Sequence, residues 1–402
     1  MAQPNIMYDQ RNTPDSQFTA NRGAVSVAIE TCQEGISKGA RILTVNDSEG
    51  GLQYEVQLSH GMNIGPDSSY KGKSIFWDAP NPLRVYSEAE MDTELQRAKT
   101  HKKDGAVIGG LGGWLDTFNA GLILCGLDCC GSPGEDPVTG ESLTLHSRIG
   151  LLPAENVTVR YQQIGEARYQ VVIEGDVTQY MGDVPSYKLH RRITTDVGGN
   201  EIGVEDTVEN LTDVTLPLDA LYHIQLGGAA LEKGSVFSTP AIAHLDRDDD
   251  AKAGRANINS MPGIGDTKYE REKLWFHIFP EIEKVTSLLR NPDASFGVYT
   301  RHDQRELPQF SQWQQNGGWQ FKIEDPENYK EVWYVNAPEP GFTRCPNRSV
   351  EREEGRLQYL GPRERRTVHV VVGALDQQSQ IMSIEDIIKQ HKSVPRDEFI
   401  AA

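Results

Sequence analysis

Short runs in which apolar and polar residues alternate recur along most of the chain. Alternation with a period of two places every second side chain on one face of a strand, and glycine, asparagine, aspartate or proline residues separate the runs. The clearest runs are residues 24–29, 54–58, 157–161, 169–173, 204–208, 329–335 and 367–372. The pattern predicts an all-β protein built from antiparallel strands.

Two stretches have helical character. Residues 87–100 contain few apolar positions, and residues 384–391 follow Ser383, a residue type that caps helix N-termini. Neither stretch could cover a large sheet, so the sheet must close on itself or pair with a second sheet. The chain has no repeat of about 40 to 50 residues, which counts against a propeller. We therefore expect a large antiparallel β-sandwich with few short helices.

Glycine and proline do not concentrate at any point that would divide the chain. The 38 glycines and 21 prolines are spread along the 402 residues, so a single large domain is the simpler interpretation. We expect a polar, loosely held N-terminal extension at residues 1–23, a β-sandwich domain at 24–379, and a short C-terminal helix with a tail at 380–402.

The net charge argues against two classes of partner, and the cysteine content argues against disulfide bonds. With 58 acidic and 40 basic residues the formal charge is −18, so nucleic acid and anionic membrane surfaces would be repelled. No signal peptide and no apolar run of about 18 residues is found. An odd number of cysteines does not suit a disulfide framework, and the five are Cys32, Cys125, Cys129, Cys130 and Cys345. We expect a cytoplasmic protein with reduced, structural thiols.

Three segments place a group capable of proton transfer in an apolar, strand-like setting. His146 follows the apolar run 121–128, His223 lies in Leu-Tyr-His-Ile-Gln-Leu-Gly-Gly, and Glu339 stands between Pro338 and Pro340. Imidazole titrates near neutral pH, and two flanking prolines restrict the directions that a glutamate can take. For each residue alone, an ordinary structural role remains open. Zinc-type histidine pairs, a Gly-x-Ser-x-Gly nucleophile and a phosphate-binding loop are not found, so we predict no metal site.

Taken in order, these segments resemble the galactose mutarotase-like superfamily, in particular its bacterial aldose 1-epimerase branch of unknown function. The resemblance runs from about Gly61 to Leu375. The matching segments are 118–128, Leu-His-Ser-Arg-Ile at 145–149, Tyr-His-Ile-Gln-Leu-Gly at 222–227, 307–313, 338–340 and 360–364. This sequence departs from the pattern at Ser147, where glycine is usual, at Gln225, where asparagine is usual, and at His-Gly-Met-Asn 60–63, where Arg-Gly-Met-Asp is usual.

The resemblance implies an aldose 1-epimerase that interconverts the α and β anomers of a free monosaccharide without a cofactor. His223 would be the general acid, Glu339 the general base and His146 a second imidazole that orients the sugar. Candidate substrate-binding residues are Arg148, Asp128, Asn63, Trp313 and Phe118, with Trp77 and Trp114 as further aromatic candidates.

Two other functions remain open at this stage. Relatives of this fold include non-catalytic carbohydrate-binding proteins, and large β-sandwiches also carry carbohydrate lyases and hydrolases. Glycoside hydrolysis would require a second carboxylate facing Glu339, for which Asp128 is the candidate. Neither the identity of the sugar nor the oligomeric state follows from the sequence.

Overall fold

The computed structural model describes residues 5–13, 17–85, 102–103, 106–107, 114, 118–264, 272–317 and 333–392. Within these residues one antiparallel sheet has nine strands. In spatial order they are β1 (Asn5–Asp9), β14 (Glu155–Gly165), β15 (Arg168–Met181), β16 (Val184–Asp196), β17 (Glu201–Asn210), β28 (Arg365–Leu375), β24 (Gly297–Asp303), β23 (Lys284–Arg290) and β20 (Val236–Ser238).

A second antiparallel sheet carries the residues of interest. Its spatial order is β2 (Gln17–Arg22), β3 (Val25–Thr31), β4 (Arg41–Asp47), β5 (Leu52–Gln57), β6 (Asn63–Ile64), β11 (Leu122–Cys125), β19 (Leu221–Ile224), β26 (Tyr334–Gly341), β25 (Gln309–Asn316), β22 (Lys273–Ile278) and β21 (Ala243–Asp246). Two short strands, β7 (Ser69–Tyr70) and β8 (Lys73–Ser74), branch from β5.

The remaining elements are short. Three two-stranded pairs are β9 (Lys102–Lys103) with β10 (Ala106–Val107), β12 (Gly134–Glu135) with β13 (Ser142–Leu143), and β18 (Leu216–Leu218) with β27 (Gln358–Leu360). The α-helices of the described ranges are α1 (Asp249–Ala253), α2 (Arg348–Glu353) and α3 (Gln378–Lys392). None of the helices in this part of the chain is long and apolar enough to cross a membrane.

The main core lies between the two sheets. Along β17 buried and partly exposed residues alternate without interruption, as expected for a strand with one face in the core. The core cluster combines residues from both sheets, such as Val204 and Val370 from the first and Val45 and Tyr222 from the second. The all-β sandwich predicted from the alternating runs is confirmed.

The expectation for the N-terminal residues is wrong where the structure describes them. β1 pairs with β14 at one edge of the first sheet, and β2 pairs with β3 at one edge of the second. Edge strands can be short and polar because only one side and one face of each is covered by other strands. Residues 5–9 and 17–22 are therefore parts of the sheets rather than a loose extension, and the remaining division into domains stays a prediction.

The C-terminal helix exists but begins earlier than predicted. α3 starts at Gln378, so Ser383 lies inside the helix and does not cap it. The apolar side chains of Ile381 and Ile388 pack against Leu288 and Tyr299 of the first sheet. The other predicted helix, at residues 87–100, lies outside the described residues.

The second sheet also has apolar residues on the face turned away from the main core. On β11, Leu122 and Leu124 belong to the main core, whereas Ile123 and Cys125 belong to a second buried cluster. That second cluster is rich in aromatic residues and is completed by side chains from loops. His223 faces the same side, because it lies directly opposite Ile123 in the sheet.

Candidate active site

The sheet register brings His223 and Glu339 together. Leu221 of β19 pairs with Gly341 of β26, so that the residues two positions further along, His223 and Glu339, also face each other. The His223 Nε2 atom lies 3.0 Å from Glu339 Oε1. The two residues are 5% and 1% exposed, so proton transfer between them is shielded from bulk water.

The other ring nitrogen of His223 is held by Gln225. The Gln225 side-chain amide contacts His223 Nδ1, and both residues lie on the same face of the sheet because they are two positions apart. This contact fixes the plane of the imidazole, whose Nε2 lies 3.0 Å from Glu339 Oε1, an oxygen that accepts no well-aligned hydrogen bond among the described residues. Gln225, which replaces the asparagine usual at this position, is thus a positioning residue for His223.

His146 approaches the pair from a loop. Both His146 and Ser147 adopt left-handed backbone conformations, with φ of 54° and 50°. Glycine reaches this region without a steric penalty, which explains why glycine is usual at position 147, where this chain has a serine in the same conformation. The ring centroids of His146 and His223 are 5.9 Å apart, with the planes nearly perpendicular.

The His146 ring is held as a neutral hydrogen-bond donor. Burial, with a smaller effect from His223, lowers the pKa of His146 well below its usual value of 6.5. The Gly131 backbone N–H donates to His146 Nδ1 at 3.3 Å, so the proton of the neutral ring lies on Nε2. His146 can therefore donate one hydrogen bond from Nε2 without carrying a charge.

Buried thiols contact two of these three groups. All five cysteines are free, and Cys125, Cys129, Cys130 and Cys345 are buried. The Cys345 thiol donates to Glu339 Oε2 over 3.2 Å, and Cys130 Sγ lies 3.5 Å from His146 Nδ1. The cysteines thus include direct neighbours of the candidate acid–base groups.

Aromatic rings enclose the histidine–glutamate pair. The ring centroids of Trp313, Phe118 and Trp114 lie 5.4, 5.5 and 6.4 Å from that of His223. Trp114 also lies 4.5 Å from His146, and Trp333 contacts Trp77 and Phe118. Such an enclosure presents flat apolar surfaces beside the polar groups, as sugar-binding sites require.

Three of the predicted substrate-binding residues hydrogen-bond to other parts of the protein. Arg148 donates to the Tyr180 carbonyl at 2.6 Å on the surface, and Asn63 donates to the Gly150 carbonyl at 2.7 Å. Asp128 accepts hydrogen bonds from Ser147 at 2.5 Å and Gln179 at 2.6 Å. These bonds to loops and to β15 orient the three side chains, and their assignment to the sugar rim stays a prediction.

Sequence reasoning missed Gln225, Cys345 and Ser311 as neighbours of the pair. Gln225 could have been found, because it lies two positions from His223 on the same strand. Ser311 pairs directly with Glu339 across β25 and β26, and its buried hydroxyl has no hydrogen-bond partner among the described residues. No local pattern indicates Ser311 or Cys345, since strand pairing and loop return bring them to Glu339. In the same ranges, no group of three or more His, Cys, Asp or Glu side chains is arranged to hold a metal.

Comparison with solved structures finds proteins of the same fold. A structure described as "a putative aldose 1-epimerase" from Klebsiella pneumoniae subsp. pneumoniae MGH 78578 has a TM-score of 0.81 at 22% identity, covering 97% of this chain and 96% of that chain. A galactose mutarotase-like protein from Clostridium acetobutylicum has a TM-score of 0.52 at 10% identity, covering 87% of this chain and 98% of that chain. Among curated proteins, no match was found. The fold is that of the galactose mutarotase-like β-sandwiches.

Comparison with protein families matches most of the chain to one family. Residues 37–374 match a single family, and this range includes both large sheets from β4 onward together with His146, His223 and Glu339. The chain therefore belongs to the family described as "Domain of unknown function (DUF4432)".

Proposed function

We propose that this protein is an aldose 1-epimerase that interconverts the anomers of a free monosaccharide. The observation that carries the proposal is the 3.0 Å contact between His223 Nε2 and Glu339 Oε1 inside the aromatic enclosure. The hydroxyl on the anomeric carbon C1 and the ring oxygen O5 are both bonded to that carbon. An acid and a base that serve these two oxygens must therefore lie close together, as His223 and Glu339 do.

In the proposed reaction the pair starts as a carboxylate and an imidazolium, with the Gln225 amide turned so that its oxygen accepts from the Nδ1–H of His223. Glu339 removes the proton from the C1 hydroxyl, the C1–O5 bond breaks as the C1 carbonyl forms, and His223 protonates O5. Rotation about the C1–C2 bond turns the carbonyl, and O5 then attacks its other face. The two protons return to their original donors, so the cycle leaves the protein unchanged.

His146 and the aromatic rings orient the sugar in this proposal. The neutral His146 ring donates from Nε2 to a sugar oxygen near the reacting carbon, and it does not compete with His223 as an acid because its pKa is well below 6.5. Trp313 and Phe118 supply the flat surfaces against which the apolar face of a sugar ring packs.

The test is the approach to anomeric equilibrium of freshly dissolved neutral, deoxy and acidic monosaccharides, followed by polarimetry or NMR. We expect the wild-type protein to accelerate equilibration of at least one sugar. Glu339→Gln should lower kcat by about 10²- to 10⁴-fold, the contribution of one positioned acid–base group. Glu353→Gln is the matched control, because Glu353 is an exposed glutamate on α2.

Two outcomes would reject the proposal. If no sugar equilibrates faster with the wild-type protein than in buffer, the protein is not an epimerase of these sugars. Saturable binding of a sugar without acceleration would favour a non-catalytic carbohydrate-binding protein instead. If the wild type is active and Glu339→Gln is equally active, Glu339 is not the base.

A further inference from the structure

The Glu339 carboxylate has a second neighbour that the proposed reaction does not use. Oε1 faces His223, and Oε2 accepts a hydrogen bond from the Cys345 thiol at 3.2 Å. Cys345 is 6% exposed and Glu339 is 1% exposed, so bulk water does not compete for this bond. The thiol is thus a hydrogen-bond partner of the carboxylate oxygen that does not face the imidazole.

The Cys345 thiol keeps its proton. Burial raises its pKa well above the usual value of 9.0, and the negative charge of Glu339 acts in the same direction. The titratable groups around the carboxylate are His223 on β19, Cys125 on β11 and Cys345 itself, while the charge of Arg247, just after β21, acts weakly on Cys345. An S–H group in this setting donates to the carboxylate and does not ionise.

The backbone around Cys345 is held independently of its side chain. The Cys345 carbonyl accepts a hydrogen bond from the Ser132 N–H at 3.2 Å. Two residues earlier, the Thr343 hydroxyl donates to the buried Asp219 carboxylate. A substitution that changes only the Cys345 side chain should therefore leave its Cβ in place beside Glu339.

A thiol differs from a hydroxyl in the strength of the bond it donates. Hydroxyl donors to carboxylates form short bonds of about 2.5 to 2.7 Å, whereas an S–H group is a weak donor. A strong donor favours the ionised carboxylate and lowers its pKa, which makes it a weaker base. A weak donor fixes the direction of the carboxylate and leaves more of its basicity.

We propose that Cys345 is a positioning residue for Glu339, whose thiol orients the carboxylate through a hydrogen bond weak enough to keep it a competent base. The inference rests on the proposed function of Glu339, and it deepens that function by explaining how one buried carboxylate is both held and kept reactive.

Two substitutions should move the pH profile in opposite directions. In Cys345→Ser the stronger hydroxyl donor lowers the apparent pKa on the acid limb of kcat/KM by roughly half to one unit. The weaker base then lowers kcat at neutral pH by about two- to fivefold. In Cys345→Ala the acid limb moves to higher pH, and kcat falls by about tenfold while KM changes by less than about twofold, because carboxylate orientation is lost. Cys32→Ser, a change at a free thiol in the turn between β3 and β4, should leave the profile unchanged.

A merely structural role would give a different result. It would lower the activity of the serine and alanine variants without moving their acid limbs apart. Identical acid limbs in the wild type, Cys345→Ser and Cys345→Ala would therefore overturn the proposal. Cys345→Ser is closest in shape to the wild type, and its folding is checked by circular dichroism before the profiles are compared.

An infrared measurement tests the contact without requiring turnover. The S–H stretching band lies in a spectral window free of other protein bands, and the chain has only five thiols. We expect one band at lower frequency than the rest, lost in Cys345→Ser and shifted to higher frequency in Glu339→Gln, whose neutral amide is a weaker acceptor. If the band is the same in Glu339→Gln, the thiol does not donate to the carboxylate. Because this result is independent of epimerase activity, failure of the inference and failure of the proposed function are distinguishable.

Discussion

At the scale of single residues, each group of the candidate site is held by a neighbour that lies two, six or 15 positions away along the chain. Gln225 holds His223, Cys345 holds Glu339, and the Gly131 N–H holds His146. Asp219 links two of these supports, since its carboxylate accepts from the Cys130 N–H at 2.8 Å and from the Thr343 hydroxyl. Asp219 is fully buried, and burial raises its pKa to about 7.

The raised pKa of Asp219 predicts how the free energy of unfolding changes with pH. Asp219 titrates at about 7 in the folded state and near 3.8 when unfolded, so between these values the folded protein binds more protons. The stability that this difference contributes is present below about pH 4 and is lost as the pH rises to about 7. Relative to Asp219→Asn, the wild-type free energy of unfolding should fall by about 1.4 kcal/mol per pH unit across this range.

Denaturant unfolding of both proteins at several pH values measures this difference. Asp213→Asn, at an exposed position paired with Arg363, serves as the control. Between pH 5 and pH 7 its free energy of unfolding should change with pH in parallel with that of the wild type. Parallel curves for Asp219→Asn and the wild type from pH 4 to 7 would show that Asp219 does not titrate in this range.

The sequence indicated which aromatic residues lie near His223, but it did not indicate which hydrogen-bond partners the polar side chains have. Trp313 and Phe118 were predicted beside the pair, and both lie within 6 Å of His223 between ring centroids. Arg148 and Asp128 were also predicted there, and this stays a prediction; their hydrogen bonds to Tyr180 and Gln179 on β15 could not be read from the sequence. The alternation of apolar and polar residues and the family motifs indicate the strand face or the loop on which a residue lies. The hydrogen-bond partner of a polar side chain depends instead on packing between segments that are distant in the sequence.

At the scale of elements, alternation predicted the strands whose two faces differ in burial. The predicted runs 169–173 and 204–208 lie in β15 and β17, and all but the first residue of the run 24–29 lies in β3. β1 and β2 were missed because short edge strands have little alternation to detect. The loop between β11 and β14, which carries His146, was equally invisible to periodicity, since side-chain contacts with α2 determine its path.

The α2 helix fixes that loop through a buried ion pair. Asp136, fully buried, accepts from Arg348 Nε at 2.7 Å and from both terminal nitrogens of Arg352 at 2.7 and 2.9 Å. Arg348 also donates to the Asp128 carbonyl at 3.0 Å. These hydrogen bonds hold the pKa of Asp136 well below its usual range, so its contribution to stability is present at neutral pH and is lost on acidification below about pH 4.

We expect Asp136→Asn to lower the free energy of unfolding at pH 7 by about 3 kcal/mol, because it removes the buried counter-charge of Arg348 and leaves that guanidinium only the more exposed Glu141 carboxylate. Asp213→Asn removes a comparable carboxylate from an exposed pair and should cost less than about 1 kcal/mol. Chemical denaturation of the two variants makes the comparison. Equal losses in both would mean that the Asp136 pair is not a stabilising contact of the loop.

At the scale of the whole molecule, the two sheets are joined by a polar bridge as well as by apolar packing. Arg191 of the first sheet donates to the carbonyls of Gly61 and Met62, at 2.9 and 3.2 Å, in the turn that precedes β6 of the second sheet. Asp206 accepts from Arg191 at 2.9 and 2.6 Å and from the Tyr222 hydroxyl at 2.7 Å. The sequence could not reveal this bridge, because it depends on which strands of the two sheets lie opposite each other.

Substitutions in this bridge should change the free energy of unfolding without changing kcat. Asp206→Asn leaves Arg191 buried without its counter-charge and should cost about 3 to 5 kcal/mol, whereas Tyr222→Phe removes one hydrogen bond to a charged group and should cost about 1.5 to 3 kcal/mol. Asp196→Asn, at a surface pair with Arg168, should cost less than about 1 kcal/mol. Tyr222 points into the core, while its neighbour His223 points to the opposite face of the same strand.

Substitutions on the core face should therefore lower the unfolding midpoint in denaturant and leave kcat per folded molecule within about twofold of the wild type, since the contacts that hold His223 and Glu339 lie on the other face. Activity and unfolding of Tyr222→Phe, measured on the same preparation, decide this point. A large loss of kcat without a loss of stability would mean that the core bridge acts on the site through the strand.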